Sequence, residues 1–119
     1  MNIIICGAGR VGFAIAKLLT EQNHSVTVID QSSEDIQKIN DAFDVKAIVG
    51  KATSPIILEN ASAKDADMII AVTRNDEINM MVCQIAFSLF SFVLVGFSDL
   101  LFSARDSSNS SSDSLSILF

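Results

Sequence analysis

The chain has 119 residues, about half of them apolar, and a formal net charge of −6, which leaves room for one domain around one core and none for a two-domain enzyme. That acidic balance disfavours nucleic acid and anionic lipid, so a nucleotide here must be held by local backbone geometry and not by a basic field. The sequence has no Tyr, no Trp and a single His, which removes several catalytic schemes. Its two cysteines, Cys6 and Cys83, stand in apolar runs with no secretory leader and no metal-type spacing, the pattern of reduced core thiols in cytoplasm.

In chain order, Asn2 to Cys6 is a short β-branched run that stops at Gly7, the signature of a strand buried on both faces. From Arg10 a helix is predicted with Val11, Ala14, Ile15, Leu18 and Leu19 as its core stripe and Lys17, Glu21 and Gln22 toward water. Ser25 to Ile29 alternates as a second strand that ends on an acid, Asp30. Ser32 is placed to cap a second helix, with Glu34 and Asp35 in its first turn and Ile36, Ile39 and Phe43 buried. Lys46 to Val49 is a third strand, Gly50 to Thr53 a turn, and Ser54-Pro55 the N-cap and N1 of a short helix through Ala61. Asp67 to Val72 is a fourth strand, after which Asn75 caps a helix carrying Ile78, Val82, Ile85, Ala86 and Leu89.

Strands alternating with helical periods of this length mean βαβ units and a parallel sheet. The expected fold is α/β, a Rossmann-type parallel sheet ordered 3-2-1-4-5 with helices on both faces, incomplete at its C-terminus. Phe92 to Phe97 supplies the fifth strand and closes a domain over residues 1–97, and residues 98–119 read as a Ser-rich disordered tail. The uncharged stretch Ile78 to Ser98 is long enough to span a bilayer. A capped helix and a buried strand in this place of the sheet are the preferred reading.

Gly7-Ala8-Gly9-Arg10-Val11-Gly12 matches G-x-G-x-x-G between a strand and a helix, with Asp30 about 20 residues on at the end of the next strand. Gly7 permits the turn, Gly9 lets the backbone approach a pyrophosphate, and Gly12 lets the helix pack closely. First-turn amides and the helix dipole meet the phosphate charge. Asp30 is placed to accept both hydroxyls of an adenosine ribose and to repel a 2′-phosphate, favouring NAD(H) over NADP. Arg10 stands where it could reach a phosphate or remain solvated. The turns Gly50 to Thr53 and Thr73-Arg74-Asn75 complete the pocket at the C-terminal ends of the strands. Lys51 is a rim residue near the adenine or a plain solvated lysine. Gly50-Lys51 is not a P-loop, because Ala52 occupies the Ser/Thr position.

With these residues, Gly50-Lys51-Ala52-Thr53-Ser54-Pro55 and Ala71-Val72-Thr73-Arg74-Asn75-Asp76-Glu77-Ile78-Asn79-Met80, the chain resembles the N-terminal nucleotide-binding domain (RCK or KTN) of TrkA-type potassium-uptake regulators. The resemblance covers about residues 1 to 91. It implies a cytoplasmic, non-enzymatic regulatory subunit, peripheral at the inner face of the membrane, that binds NAD(H) or ATP/ADP and gates a membrane potassium transporter as a homo-oligomer. Carried over by motif, Gly7, Gly9, Arg10 and Gly12 cradle phosphate, Asp30 takes the ribose, and Ala52, Thr53 and Thr73 line the nucleotide. Lys51 departs from the Asp or His often found there in the family. Past residue 91 the resemblance stops, the pattern expected of a truncated or frameshifted copy. The competing reading, a fragment of a small NAD-dependent oxidoreductase, lacks the Tyr of short-chain dehydrogenases, and His24 falls at the sheet end opposite the cofactor.

Overall fold

The computed structural model describes residues 1–90 in full and the backbone of residues 92–97 and 100–105. In chain order the elements are β1 (Asn2–Cys6), α1 (Arg10–Glu21), β2 (Ser25–Asp30), α2 (Ser33–Ala42), β3 (Lys46–Val49), α3 (Pro55–Asn60), a 3-10 turn (Ala63–Asp65), β4 (Met68–Ala71), α4 (Asp76–Phe90), β5 (Phe92–Phe97) and β6 (Leu100–Arg105). They form one sheet in the order β3-β2-β1-β4-β6-β5. The first four strands are parallel, with Ile3 in register with both Val26 and Met68.

Both faces of that parallel half are covered, as its unbroken apolar strands require. Ile3 and Ile5 pack with Leu19, Val28, Ile36, Ile39 and Ile70 under α1 and α2. Ile4 and Cys6, one residue out of phase, pack with Ile29, Leu58, Val82, Cys83, Ala86 and Phe90 under α3 and α4. The helix starts agree with the capping chemistry. Ser32 Oγ accepts from the Asp35 amide at 3.2 Å, and Asn75 Oδ1 accepts from the Ile78 amide at 3.1 Å. Ser54 occupies the N-cap of α3 without a side-chain bond, Pro55 following it in the first turn.

Three expectations are corrected. The buried face of α1 is Gly12, Ala16 and Leu19, while Val11 and Leu18 are 56% and 47% exposed. The close approach of Gly12 to the turn below rotates the helix away from its bulkiest stripe. On α4 the buried line is Asn79, Val82, Cys83, Ala86 and Phe90, and Leu89 faces solvent.

The third correction concerns the far edge of the sheet. β5 exists over the expected residues, but β6, formed within the stretch assigned to the tail, lies between it and β4. β6 pairs antiparallel with both neighbours, Ile70 opposite Phe102 and Val95 opposite Phe102. The chain runs back along β5 as β6 before it meets β4, which local pattern cannot distinguish from direct parallel addition. The remainder of the expected tail, residues 98–99 and 106–119, lies outside the described residues. Among the described residues no helix is long and apolar enough to cross a membrane.

Candidate functional site

The site is built on the turn between β1 and α1. Gly7 has φ +122°, and a Cβ there would lie 2.7 Å from the Val72 carbonyl oxygen. No other residue suits both the dihedral and the space. A Cβ on Gly12 would overlap the Gly7 carbonyl, so the third glycine of the motif lets α1 rest on the turn itself. Gly9 is different. It is the N-cap of α1 and offers no side chain to the first-turn amides, and a Cβ there would meet only Arg74 Nε, at 3.9 Å.

Asp30 ends β2 beside this turn. Its Oδ2 accepts from the Ala8 amide at 2.8 Å and its Oδ1 from the Ser32 amide at 2.7 Å. The Gly7 amide donates to the Ile29 carbonyl at 2.8 Å, so β2 holds the glycine turn at two successive points. A carboxylate has about four acceptor sites, which leaves one lone pair on each oxygen of Asp30.

On the other side of β1, the turn after β4 is organised by a residue whose role its sequence position does not announce. Asn79 on α4 is 4% exposed, the one buried polar residue among those described in full. Its Oδ1 accepts from the Thr73 amide at 2.9 Å and the Thr73 hydroxyl at 2.6 Å, and its Nδ2 donates to the Thr73 carbonyl at 3.2 Å. A buried amide with three bonds to a single turn residue fixes that turn's shape. The only signal in the sequence was a polar residue inside an apolar helical stripe.

These turns open on a cleft of about 640 Å³ at the C-terminal ends of the parallel strands, a size suited to a small-molecule ligand. Of the expected site residues, Gly7, Gly9, Arg10, Val11, Asp30, Ala52, Thr73, Arg74 and Asn75 line it. Ala8, Gly12, Lys51 and Thr53 are not in its wall. Ala8 and Gly12 shape the turn from behind, as their contacts above show, while Lys51 is exposed and its carbonyl accepts from the Ser54 amide. Gln31, Ser32 and Asp35 add a wall along the start of α2, and Val72 and Ile78 add apolar surface.

At the opposite end of the sheet His24 Nδ1 lies 3.0 Å from the Met1 ammonium. Burial and that neighbouring positive charge hold its pKa below the usual histidine value. It is half-buried and, as its place in the sequence implies, remote from the cleft.

A parallel sheet ordered 3-2-1-4, a glycine turn at its crossover point and an acid closing the second strand define a Rossmann-type nucleotide-binding domain. Comparison with known proteins narrows the class. Residues 3–96 match the TrkA-N domain, and the chain belongs to that family.

Among curated relatives it is 43% identical over 91 residues to the Trk system potassium uptake protein TrkA of Vibrio alginolyticus, covering 76% of this chain and 20% of that protein. It is 45% identical to TrkA of Azorhizobium caulinodans, with the same coverage. It is 38% identical over 86 residues to a TrkA homolog of Pyrococcus abyssi, covering 72% of this chain and 38% of that one. The chain therefore spans about a fifth of the bacterial proteins it matches. Among solved structures, the Kef CTD of Shewanella denitrificans in its AMP-bound form superposes with a TM-score of 0.67 at 25% identity. That match covers 76% of this chain and 54% of that one.

Proposed function

We propose that this domain is the NAD(H)-binding regulatory module of a Trk-type potassium uptake system, and that it senses a nucleotide without transforming it. One observation carries the reading. Asp30, anchored by two backbone amides, keeps acceptor capacity beside a glycine turn at the mouth of the cleft, the arrangement that takes a ribose and its phosphates. ATP or ADP shares that ribose and those phosphates and is the alternative ligand. The AMP held by the Kef relative supports an adenine nucleotide in this cleft, and the Trk names of the curated relatives support a membrane potassium transporter as partner. On this reading the domain works at the cytoplasmic face of the membrane as a homo-oligomer. The sequence has no Tyr to serve as a dehydrogenase acid, and His24 lies at the wrong end of the sheet.

Calorimetric titration of the chain with NADH, ATP and AMP, run beside a hydride-transfer assay on alcohols and hydroxy acids, tests both halves. Saturable binding without turnover is expected. Turnover with any of these substrates would remove the regulatory reading, and absence of binding by all three nucleotides would remove the nucleotide reading.

A further inference from the structure

The sheet order sets the direction in which a nucleotide must lie. Asp30 stands at the end of β2, the glycine turn follows β1, and the Thr73–Asn75 turn follows β4, in that spatial sequence. A ribose held at Asp30 brings its first phosphate over the glycine turn, and any further phosphate extends toward β4. What waits there is Arg74. A Cβ added to Gly9 would have one heavy atom within 4 Å apart from Gly9 and its chain neighbours, the Arg74 Nε at 3.9 Å. Arg74 Nε thus borders the open backbone at Gly9, and the fork of donors on its guanidinium matches phosphate oxygens. Its base is held in place, because the neighbouring Thr73 is gripped by the buried Asn79 through both its backbone groups and its hydroxyl.

We infer that Arg74 makes the cleft selective for nucleotides carrying a second phosphate, by closing over the distal phosphate of a nucleoside diphosphate group from the β4 side. This rests on the reading of the cleft as an adenine-nucleotide site. It adds a rule of discrimination that the glycine motif does not contain, since glycine-turn amides and Asp30 are engaged equally by a nucleoside monophosphate. The adenosine half and the first phosphate are common to both ligands. The distal phosphate is the one that extends toward the turn after β4, which carries Arg74.

Paired calorimetric titrations with AMP and ADP, without divalent cation, test the inference on the full chain. The parent protein is expected to bind ADP about tenfold or more tightly than AMP, the size of one charge-assisted hydrogen-bonded contact. In Arg74→Gln that preference should fall to within about twofold through a larger loss of ADP affinity than of AMP affinity, and Arg74→Lys should restore part of it. Arg74 is exposed, so circular dichroism of both variants should match the parent. If the parent binds AMP and ADP equally, or if Arg74→Gln weakens both to the same degree, the selectivity rule is wrong while the nucleotide site stands. If the parent binds neither, the nucleotide reading fails and the rule fails with it.

Discussion

The two ends of the parallel sheet are made from the same strands and treat polar groups in opposite ways. At the N-terminal end they close on one another: the Asn2 amide donates to Asp67 Oδ2 at 2.8 Å, the Asp67 amide donates to the Asn2 carbonyl at 2.7 Å, and the Met1 ammonium sits on His24. At the C-terminal end Asp30 and Asn79 each brace a turn, and the turns leave an open cleft between them. One end stabilises the fold, and the other end spends its hydrogen bonds on holding loops in a shape that a ligand can use. The difference follows from βαβ geometry, in which the turns entering the helices all lie at the C-terminal end and present helix N-termini there.

The comparison breaks most sharply within the glycine motif. Gly12→Val should destabilise the domain by about 3 kcal/mol, because its side chain has to displace the Gly7 backbone. A lowered urea midpoint with an unchanged slope would show it. Gly9→Val, three residues earlier, should leave the stability within about 0.5 kcal/mol of the parent and still abolish nucleotide binding, since its Cβ enters space that only Arg74 borders. If the two variants behaved alike, the division between a structural and a ligand-facing glycine would be lost.

A smaller effect is expected at Asp30. Asp30→Ala should weaken NAD and ATP binding about tenfold to a hundredfold, the range for charge-assisted hydrogen bonds of roughly 1.5–3 kcal/mol. It should also cost stability, because the Ala8 and Ser32 amides lose their acceptor. Calorimetry and urea denaturation on one preparation separate the two losses. Unchanged affinity with reduced stability would leave Asp30 as a brace alone.

The smallest effect belongs to the other end. Because the pKa of His24 is lowered in the folded chain, the unfolded chain binds the proton more readily, and stability must fall as pH falls. The contribution is complete above the ordinary histidine pKa near 6.5 and is lost below it, toward the depressed folded value. His24→Gln should flatten the urea midpoint between about pH 7 and 5 relative to the parent, with nucleotide affinity at neutral pH unaffected.

What the sequence disclosed and what it withheld divide along physical lines. Runs such as Asn2 to Cys6 and Ser25 to Asp30 are both strands and the supports of the site, so their pattern reports strand order and the position of Asp30 together. The phase of α1 is not legible in its pattern, because hydrophobicity favours Val11 and Leu18, whereas steric contact at Gly12 decides which side faces the sheet. The β5–β6 hairpin was beyond local pattern, since an apolar run specifies a strand without specifying its partner or direction. Asn79 was invisible as a brace for a related reason. Its meaning lies in Thr73, which is near in the turn but makes no periodic pattern with it.

The interior of β1 carries one further consequence. Cys6 is fully buried at the last position of the strand, immediately before Gly7, and burial, with Cys83 beside it, pushes its thiol pKa far up. An alkylating reagent reacts with thiolate, so it can modify Cys6 only in those moments when the strand end parts from its neighbours. The domain thus contains its own opening clock. A nucleotide that ties the glycine turn to β2 and β4 should slow alkylation of the native chain in proportion to the ligand's occupancy, readable by mass spectrometry from the adduct on Cys6.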